Sequence, residues 1–348
     1  MFTKGLYLPD NYHSALSLIE TEIAIKFVKD HFEHELAKEL YLTRVSAPLF
    51  VLENSGYNDD LNGVERPASF PVKDLNDTKA LVVHSLAKWK RAALKDYGFT
   101  PNTGLYTDMN AIRGDEEMDN THSIYVDQWD WEKIIRPEER NIAKLKNIVE
   151  RIYKVLRNME KEVLERFPVL GEAILPEKIT FIHAEELLQR YPNDTSKMRE
   201  NKIAKEYGAV FIIGIGNKLS NGEAHDLRAP DYDDWSTPSD ENLPGLNGDI
   251  ILHYPVLNCA LEVSSMGIRV DEKALEHQLT ITNTTNRKKY PWHQRLLGGE
   301  YPLTIGGGIG QSRICMFFLR KAHVGEVQSS IWSDDMRSAC KAAGIQLL

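Results

Sequence analysis

The sequence has few of the features that mark secreted, metal-clustered or membrane proteins. Its 348 residues contain three cysteines, Cys259, Cys315 and Cys340, an odd number without the paired spacing of zinc ligands. They predict free thiols in a reducing compartment. The longest apolar runs, such as residues 209–216, are too short to cross a membrane, and residues 1–11 do not resemble a signal peptide. We therefore predict a cytoplasmic protein without a membrane partner.

A surplus of positive charge is also missing. Lysine and arginine together number 42, against 51 aspartates and glutamates, and the formal net charge is −9 at pH 7. Because nucleic-acid-binding proteins usually present a basic face, we predict no nucleic-acid partner. The hydrophobic share of 42% is typical of a soluble globular protein with a core. No repeat, low-complexity segment or linker divides the chain, which predicts one mixed α/β domain.

The most informative stretch is residues 304–313, TIGGGIGQSR, which the apolar run 314–319 follows. Its four glycines allow close approach of the backbone and positive φ angles. The apolar run predicts a helix whose first N–H groups face the same space, where an anion is favoured. With Arg313 at the junction, we interpret the stretch as a nucleotide-phosphate site. A tight strand-to-helix turn is the alternative.

Spacing excludes two common phosphate loops. A Walker A loop needs Lys and then Ser or Thr after its last glycine, whereas Gly310 is followed by Gln311, Ser312 and Arg313. The dinucleotide-binding pattern G-x-G-x-x-G also fails, because Gln311 stands where its third glycine belongs. The stretch therefore predicts a nucleotide site of another kind.

Hydrophobic periodicity predicts several further elements. An i+4 apolar row indicates a helix over residues 24–40, capped by Ser17 in a capping box or by Thr21. Residues 45–50 are predicted to form a strand that a proline confines to an edge or a contact surface. A long helix is predicted over residues 137–167, with Pro137 in its first turn.

Two strands joined by a turn are predicted for residues 104–132. Strict alternation places Asp127 and Trp129 on one face of the second strand and Gln128 and Asp130 on the other. Buried amides and carboxylates need partners, since burial without them is costly. The polar face therefore predicts a ligand site.

Residues 84–91, HSLAKWKR, carry three cations and a tryptophan. On a helix, Lys88 and Arg91 share one face and Lys90 points elsewhere. A solvated surface helix and a ligand-facing helix both fit this pattern.

The densest polar stretch is residues 225–236, where Tyr232 and Trp235 stand among four aspartates and an arginine. The aromatic residues favour a pocket wall over an acidic tail, and a surface loop is the alternative. Asp59 and Asp60 are by default solvated turn residues.

Two acidic residues, Asp249 and Glu262, flank a predicted hairpin. Magnesium prefers a small number of carboxylates together with substrate oxygens. The pair therefore predicts a Mg²⁺ site that also contacts phosphate.

Three pieces of the chain resemble the catalytic core of class II aminoacyl-tRNA synthetases. The helix before Val45 and Pro48 is similar to the first motif, which builds the dimer interface in that family. Residues 111–130 and the run GGGIGQSR at residues 306–313 resemble the second and third motifs. The resemblance implies an α+β core, with a mostly antiparallel sheet flanked by helices, and a homodimer.

The resemblance is closer to one relative of these enzymes, the ammonia-dependent aspartate–ammonia ligase family, also called asparagine synthetase A. It covers roughly residue 20 to the C-terminus and implies a single catalytic domain at residues 21–348 after an N-terminal extension at residues 1–20. The runs that carry it are residues 84–91, 125–132, 228–236 and 262–269.

The family resemblance implies a ligase that uses ATP to make L-asparagine from L-aspartate and ammonia. Adenylation would give β-aspartyl-adenylate and pyrophosphate, and ammonia would then displace AMP. The start Met1-Phe2-Thr3 lacks the N-terminal cysteine of glutamine-dependent synthetases, so ammonia is the expected donor. Two alternatives are an aspartyl- or asparaginyl-tRNA synthetase and a non-catalytic paralogue that binds asparagine or a nucleotide.

The resemblance also implies roles for individual residues. The implied catalytic residues are Arg113, Lys90 and Arg313. Arg113 would bridge the reacting carboxylate and the α-phosphate, and Arg313 would stack on adenine or contact phosphate. The implied nucleotide-binding residues are Arg113, Asp249, Glu262, Gly308, Gly310 and Arg313, and Asp249 and Glu262 would also carry Mg²⁺.

Aspartate recognition is implied for a second set of residues. Asp59 and Gln128 would bind the α-ammonium group, while Lys90, Arg228 and Arg269 are candidates for the carboxylates. The full implied set is Asp59, Ser85, Lys90, Gln128, Asp130, Arg228, Asp233, Ser265 and Arg269.

Overall fold

The computed structural model of the protein describes residues 5–59, 61, 65–239 and 243–348. Asp60, which the sequence placed in a turn, and residues 1–4 of the predicted extension lie outside them. The helices are α1 (Leu18–Leu40), α2 (Ala87–Asp96), α3 (Ile142–Arg166), α4 (Ala184–Arg190), α5 (Ser196–Tyr207), α6 (Glu272–Ile281), α7 (Pro291–Leu297), α8 (Gln311–Phe318) and α9 (Asp334–Ala342). The strands are β1 (Leu42–Arg44), β2 (Phe50–Leu52), β3 (Ser69–Val72), β4 (Thr78–Val82), β5 (Gly104–Ile112), β6 (Tyr125–Ile134), β7 (Thr180–His183), β8 (Ala209–Ile213), β9 (Asn247–Tyr254), β10 (Cys259–Ile268) and β11 (Thr304–Gly310).

Eight of these strands form one sheet in the order β1-β5-β6-β11-β10-β9-β8-β7. The pairs β1/β5 and β7/β8 at its two edges are parallel. The five pairings between them are antiparallel. The predicted mostly antiparallel sheet with flanking helices is therefore confirmed. A smaller antiparallel sheet has the order β2-β4-β3.

The main core lies on one face of the central strands. Trp129 and Trp131 of β6 and Ile309 of β11 are fully buried there against residues of α1, α3 and α8. Because side chains alternate along a strand, the residues between these apolar ones point to the opposite face. That opposite face carries the polar residues described below. None of the helices in the described residues combines the length and the apolar character needed to cross a bilayer.

Helix α1 begins as its sequence predicts. The Ser17 hydroxyl accepts a hydrogen bond from the Glu20 amide, and the Glu20 carboxylate accepts one from the Ser17 amide at 2.9 Å. This capping box confirms the first of the two predicted caps. The predicted apolar row is fully buried and consists of Ala24, Val28, Phe32, Leu36 and Leu40.

Two predicted boundaries are wrong. Residues 45–50 are not one strand, because β1 ends at Arg44 and β2 begins at Phe50, with Pro48 between them. The long helix α3 begins at Ile142, capped by the Asn141 side chain, which accepts from the Lys144 amide at 2.9 Å. A separate 3-10 turn contains Pro137.

The glycine-rich stretch is a strand and not a loop. Residues 304–310 form β11, which lies between β6 and β10, and its glycines are absent from the glycines with positive φ. The predicted close approach is confirmed, because a Cβ built on Gly306 would lie 1.9 Å from Glu132 Oε2. On Gly308 it would lie 2.3 Å from Gln128 Oε1. The glycines therefore make room for polar side chains of the neighbouring strand.

Candidate active site

A cavity of about 360 Å³ opens on the polar face of β6, β10 and β11. It contains every predicted site residue except Asp249, which touches the cavity residue Arg228 from behind. The predicted residues that line it are Asp59, Ser85, Lys90, Arg113, Gln128, Asp130, Arg228, Asp233, Glu262, Ser265, Arg269, Gly308, Gly310 and Arg313. The structure thus brings together residues from Asp59 to Arg313, which are 254 positions apart in the sequence.

Helix α2 faces the protein interior and not the solvent. Lys88, Lys90 and Arg91 are all buried, so the interpretation of residues 84–91 as a solvated helix is wrong. Lys88 binds Asp231 at 3.0 Å, and Arg91 donates to the carbonyl groups of Val270 and Pro302. Only Lys90 of the three lines the cavity, which agrees with its predicted different orientation.

Lys90 stands at the floor of the cavity between β6 and β11. Its Nζ lies 3.2 Å from Asp130 Oδ1 and donates to the carbonyl oxygen of Gly307 at 3.0 Å. Burial and the nearby positive charge of Arg269 lower the pKa of Lys90, while Asp130 and Glu132 oppose that shift. Asp130 also accepts a hydrogen bond from the Leu86 amide at 3.2 Å, which joins β6 to the start of α2.

Arg269 is held between two carboxylates. Glu132 accepts from its Nε at 3.1 Å and from its Nη2 at 2.8 Å, and Asp233 accepts from its Nη1. All three side chains are almost completely buried. The two acids outweigh the effect of burial and raise the pKa of Arg269. Arg269 therefore presents a fixed guanidinium group, with its remaining N–H bonds available to the cavity.

Asp59 is placed by the loop that precedes β3. Its carboxylate accepts from the Ser85 hydroxyl and from the Leu61 amide, both at 2.9 Å. The neighbouring Asn58 accepts from the His84 amide at 2.9 Å. Asp59 is buried and lines the cavity, so its interpretation as a solvated turn residue is wrong.

The second wall carries an arginine and two acids. Arg228 donates to Asp249 of β9, and Asp249 lies opposite Ser265 in the β9/β10 pair, as the predicted hairpin requires. Burial and the charge of Glu262 raise the pKa of Asp249 to about 7, although Arg228 acts in the other direction. Asp249 is buried, whereas the Glu262 side chain is partly exposed. Their like charges repel each other, and a cation relieves that repulsion.

Two further arginines line the cavity. Arg313 in the first turn of α8 donates to the carbonyl oxygens of Glu262 at 2.9 Å and of Thr121 at 3.3 Å. Arg113 follows β5 and donates to the carbonyl oxygen of His84 at 3.2 Å. Its Nε is buried and finds no hydrogen-bond acceptor within the described part of the chain. The Nε of Arg228 is in the same state, so both of these cavity arginines can donate to a further hydrogen-bond partner.

Residues 225–236 form a wall of the cavity, as the sequence favoured. Arg228, Tyr232 and Asp233 line it, while Trp235 is buried behind it. The surface-loop alternative is wrong for this segment, although Leu227 remains exposed.

Sequence reasoning missed two residues that hold the site together. Glu132 binds Arg269, and Asp127 binds the first turn of α8. Both lie on β6, within residues 125–132, one of the runs that carry the family resemblance. Alternation along β6 would have found Glu132, because it points to the same face as Gln128 and Asp130. The contacts of Asp127 depend on how α8 packs, which no local pattern encodes.

Comparisons with known proteins agree with this geometry. The chain matches the family model described as aspartate-ammonia ligase over residues 19–344. It is 59% identical to the aspartate–ammonia ligase of Clostridium perfringens (strain SM101) over 99% of both chains. It is 57% identical to the ligase of Parabacteroides distasonis, again over 99% of both chains.

Among solved structures, the chain is similar in fold to asparaginyl-tRNA synthetase from Pyrococcus horikoshii complexed with asparaginyl-adenylate. The TM-score is 0.66 at 15% identity, covering 88% of this chain and 68% of that one. An aspartyl-tRNA synthetase from Entamoeba histolytica gives a TM-score of 0.61 at 14% identity, covering 88% and 58%. At these identities the likeness concerns the fold, which is that of class II synthetases.

Proposed function

The chain belongs to the aspartate–ammonia ligase family, and from this membership we propose how its residues join ammonia to aspartate. The enzyme makes L-asparagine, and the 59% identity to a ligase over 99% of both chains carries that assignment. The tRNA synthetase alternative rests only on fold likeness at 15% identity or less. The route and the roles of single residues are our proposal.

The proposed route passes through β-aspartyl-adenylate. A carboxylate is a poor acyl donor, and transfer of AMP to its β-oxygen supplies a good leaving group while pyrophosphate departs. Ammonia then attacks the β-carbonyl carbon, AMP leaves, and the nitrogen loses a proton. A cavity that is lined by Arg113, Arg313 and Glu262 is suited to a triphosphate and its counter-ion.

Arg113 is proposed to bridge the reacting carboxylate and the α-phosphate. Its buried Nε without an acceptor supports this role, because a phosphate or carboxylate oxygen would satisfy it. Arg313 is proposed to bind the nucleotide from the other side. Gly308 and Gly310 of β11 also line the cavity, and their backbone is proposed to contact the nucleotide.

Aspartate is proposed to bind at the floor of the cavity. The α-ammonium group would meet Asp59 and Gln128, and Lys90, Arg228 and Arg269 would meet the carboxylates. Lys90 and Arg269 already have acidic partners, which fix their positions and leave other N–H bonds free. Ser85, Asp130, Asp233 and Ser265 would hold these groups in place, as Ser85 does for Asp59 at 2.9 Å.

Asp249 and Glu262 are proposed to hold Mg²⁺ together with phosphate oxygens. Among the described residues no group of three or more histidine, cysteine or acidic side chains is arranged to hold a metal. A pair of carboxylates fits magnesium, which keeps several waters and takes substrate oxygens as ligands. The ion would neutralise charge on the departing pyrophosphate. In this structure Arg228 donates to Asp249. With Mg²⁺ bound to Asp249, the Arg228 side chain would be released to contact the substrate.

We further propose a cytoplasmic homodimer with one catalytic domain at residues 21–348. The three cysteines are unpaired, which suits a reducing compartment. The outer face of α1 exposes Ile19 and Ile23, which supports a contact with a second copy. In the described part of the N-terminal extension, Tyr12 donates to Glu326 at 3.0 Å, which supports packing of this part on the domain.

One assay tests the route. The enzyme is mixed with ATP, Mg²⁺ and aspartate, and with ammonium or glutamine as the nitrogen donor. We expect AMP and pyrophosphate, in amounts that depend strictly on aspartate, and asparagine with ammonium. Formation of ADP and phosphate would contradict the adenylate, and equal turnover with glutamine would contradict ammonia as the donor.

A further inference from the structure

Asp127 is a buried carboxylate of β6 that no step of the proposed route uses. It accepts from the Ser312 amide at 3.0 Å and from the Ser312 hydroxyl at 2.8 Å. Lys29 of α1 donates to it at 2.9 Å, and Gln328 donates to it at 3.3 Å. Gln328 also donates to the Ser312 hydroxyl at 2.9 Å. Four donor groups from three residues therefore meet at one carboxylate.

These bonds leave Asp127 little capacity for a ligand. A carboxylate offers about four lone-pair positions, and the four hydrogen bonds fill them. The Asp127 carboxylate lines the cavity, yet its hydrogen-bonding positions are taken by other groups of the protein. Its role must therefore be to hold other groups in place.

The carboxylate also occupies the N-terminus of α8. The cap residue of this helix is Gly310, which has no side chain to accept the first amides. Asp127 supplies that acceptor from a different strand and places a negative charge at the positive end of the helix. The sequence predicted that these amides bind a ligand phosphate. In the structure the Asp127 carboxylate accepts from the Ser312 amide at this helix end. We therefore assign phosphate recognition to the arginines.

Arg313 directly follows Ser312 in the first turn of α8. Its guanidinium group contacts two backbone carbonyls of the opposite wall, and this geometry depends on where the first turn lies. We propose that Asp127 is a positioning residue for nucleotide binding, which acts by fixing Ser312 and thereby Arg313. The inference rests on the proposed role of Arg313 in binding ATP.

The effect is specific to the nucleotide. The proposed aspartate-binding residues Gln128 and Asp130 lie on the other face of β6, and Lys90 belongs to α2. None of the hydrogen bonds to Asp127 comes from these residues. Loss of Asp127 is therefore expected to weaken ATP binding more than aspartate binding.

The test compares KM values for ATP and aspartate in Asp127→Asn and Ser312→Ala. Asparagine removes the charge and turns an NH₂ group towards donors, and we expect the KM for ATP to rise at least tenfold. Ser312→Ala removes the hydroxyl with its two hydrogen bonds and keeps the amide, and we expect about a threefold rise in the KM for ATP. The KM for aspartate should stay within twofold in both variants. Asp271→Asn is the matched control, because Asp271 caps α6 away from the cavity.

The outcomes separate this inference from the proposed function. If Arg313→Ala raises the KM for ATP and both Asp127→Asn and Ser312→Ala leave it within twofold of wild type, the positioning role is overturned. Equal rises in both KM values would also overturn it, because they would indicate general disruption. If Arg313→Ala leaves ATP binding unchanged, the proposed role of Arg313 fails first. Should Asp127→Asn not fold, Ser312→Ala decides by the same limits.

Discussion

At the scale of single residues, the site consists of cations that are held by acids. Lys90 has Asp130, Arg228 has Asp249, and Arg269 has both Glu132 and Asp233. A buried ion pair contributes little net stability, since desolvation offsets the attraction. Its effect here is to fix the direction of each donor before substrate arrives, which lowers the entropy lost on binding.

Arg113 lacks such an acidic contact among the described residues, and its substitution tests its assigned role. Arg113→Ala should lower kcat by about 10²–10³-fold, because removal of one donor to developing charge typically costs that much. The measurement is steady-state turnover with circular dichroism to verify folding. Arg44→Ala, which removes an exposed ion pair with Asp108, is the control and should keep wild-type rates. Near-normal turnover in Arg113→Ala would refute the role.

Glu132 is predicted to act through Arg269. Glu132→Gln removes the charge that holds the guanidinium group, and the KM for aspartate should rise about tenfold while that for ATP stays within twofold. We expect a loss of about 1–3 kcal/mol in the free energy of unfolding, since hydrogen bonds to charged groups contribute at this level.

The control for this variant is Glu160→Gln. Glu160 forms a comparable buried pair with Arg320 at 3.0 Å, away from the cavity. It should lose similar stability in urea unfolding and keep both KM values. If the two variants behave alike in the kinetics, the assignment of Glu132 is wrong.

The prediction of the site residues depended more on the family resemblance than on local sequence patterns. Gln128 and Asp130 were placed on one face of a strand by alternation alone. The hydrogen bonds of Asp59 with Ser85 and of Arg228 with Asp249 follow from tertiary packing. The family resemblance placed Asp59 and Ser85 in one site, and nothing in the sequence predicted the pairing of Arg228 with Asp249. Alternation along β6 also indicates Glu132, but its pairing with Arg269, 137 residues away, depends on tertiary packing.

At the scale of elements, the glycine strand β11 separates two functions on its two faces. Gly308 faces the site, where a Cβ would lie 2.3 Å from Gln128 Oε1 and 2.8 Å from Asp130 Oδ1. Gly307 faces the core, where a Cβ would lie 2.5 Å from the Met266 Cβ and 2.6 Å from the Ser265 carbonyl oxygen. Gly308→Ala should therefore affect aspartate binding, whereas Gly307→Ala should affect stability.

Gly308→Ala is expected to displace two flexible side chains, raising the KM for aspartate about tenfold with little change in melting temperature. Gly307→Ala must move backbone and should cost about 1–3 kcal/mol, the usual range for overpacking. Kinetics and thermal unfolding of both variants check this. Gly114→Ala is the control, because nothing lies within 4 Å of the added carbon. A loss of stability in Gly308→Ala but not in Gly307→Ala would contradict this assignment of the two faces of β11.

Asp231 connects α2, α7 and the segment that carries Tyr232. One of its oxygens meets Lys88, Arg287 and His293, each at 3.0 Å. Burial raises the pKa of Asp231, but these three partners outweigh it and lower the pKa well below its usual range. An acid with a lowered folded-state pKa contributes its full stabilisation above its unfolded-state pKa of about 3.9. The contribution begins to decrease below that value and is lost as the pH falls through the lower folded-state pKa.

Asp231→Asn should therefore destabilise the protein by about 3–5 kcal/mol at pH 7, the usual effect of breaking a buried pair. The difference from wild type should shrink as the pH falls from 5 towards 3. Urea unfolding at several pH values measures it. Asp115→Asn, at an exposed pair with Arg66, should show little change at any pH. A difference for Asp231→Asn that is constant with pH would contradict the charge-based role.

Local patterns predicted the helices of this protein better than its strands. The capping box and the apolar row of α1 depend on neighbours in the sequence, so they could be recognised directly. The glycines of β11 resemble a loop when considered alone. They become a strand because β6 and β10 supply hydrogen-bond partners on both sides, an effect of tertiary structure that overrides local preference.

At the scale of the whole molecule, the proposed dimer is open to direct measurement. Light scattering at micromolar concentration should give twice the chain mass of 39.7 kDa. Ile23→Asp should shift the protein towards monomer, because Ile23 is half exposed on the outer face of α1 and a charge there would oppose apolar contact. Met198→Asp, at an exposed apolar position on α5, is the control. A monomeric wild-type protein would contradict the proposal.

The strand order has a consequence for how this protein folds. Strand β11 is the last strand of the described chain to be synthesised, yet it lies between β6 and β10, in the middle of the sheet. Until residues 304–310 insert, both neighbours keep an unpaired edge, which can pair with other chains. Contacts over such long sequence separations form slowly. Refolding should therefore regain enzyme activity only in its slowest phase, when that central gap is closed.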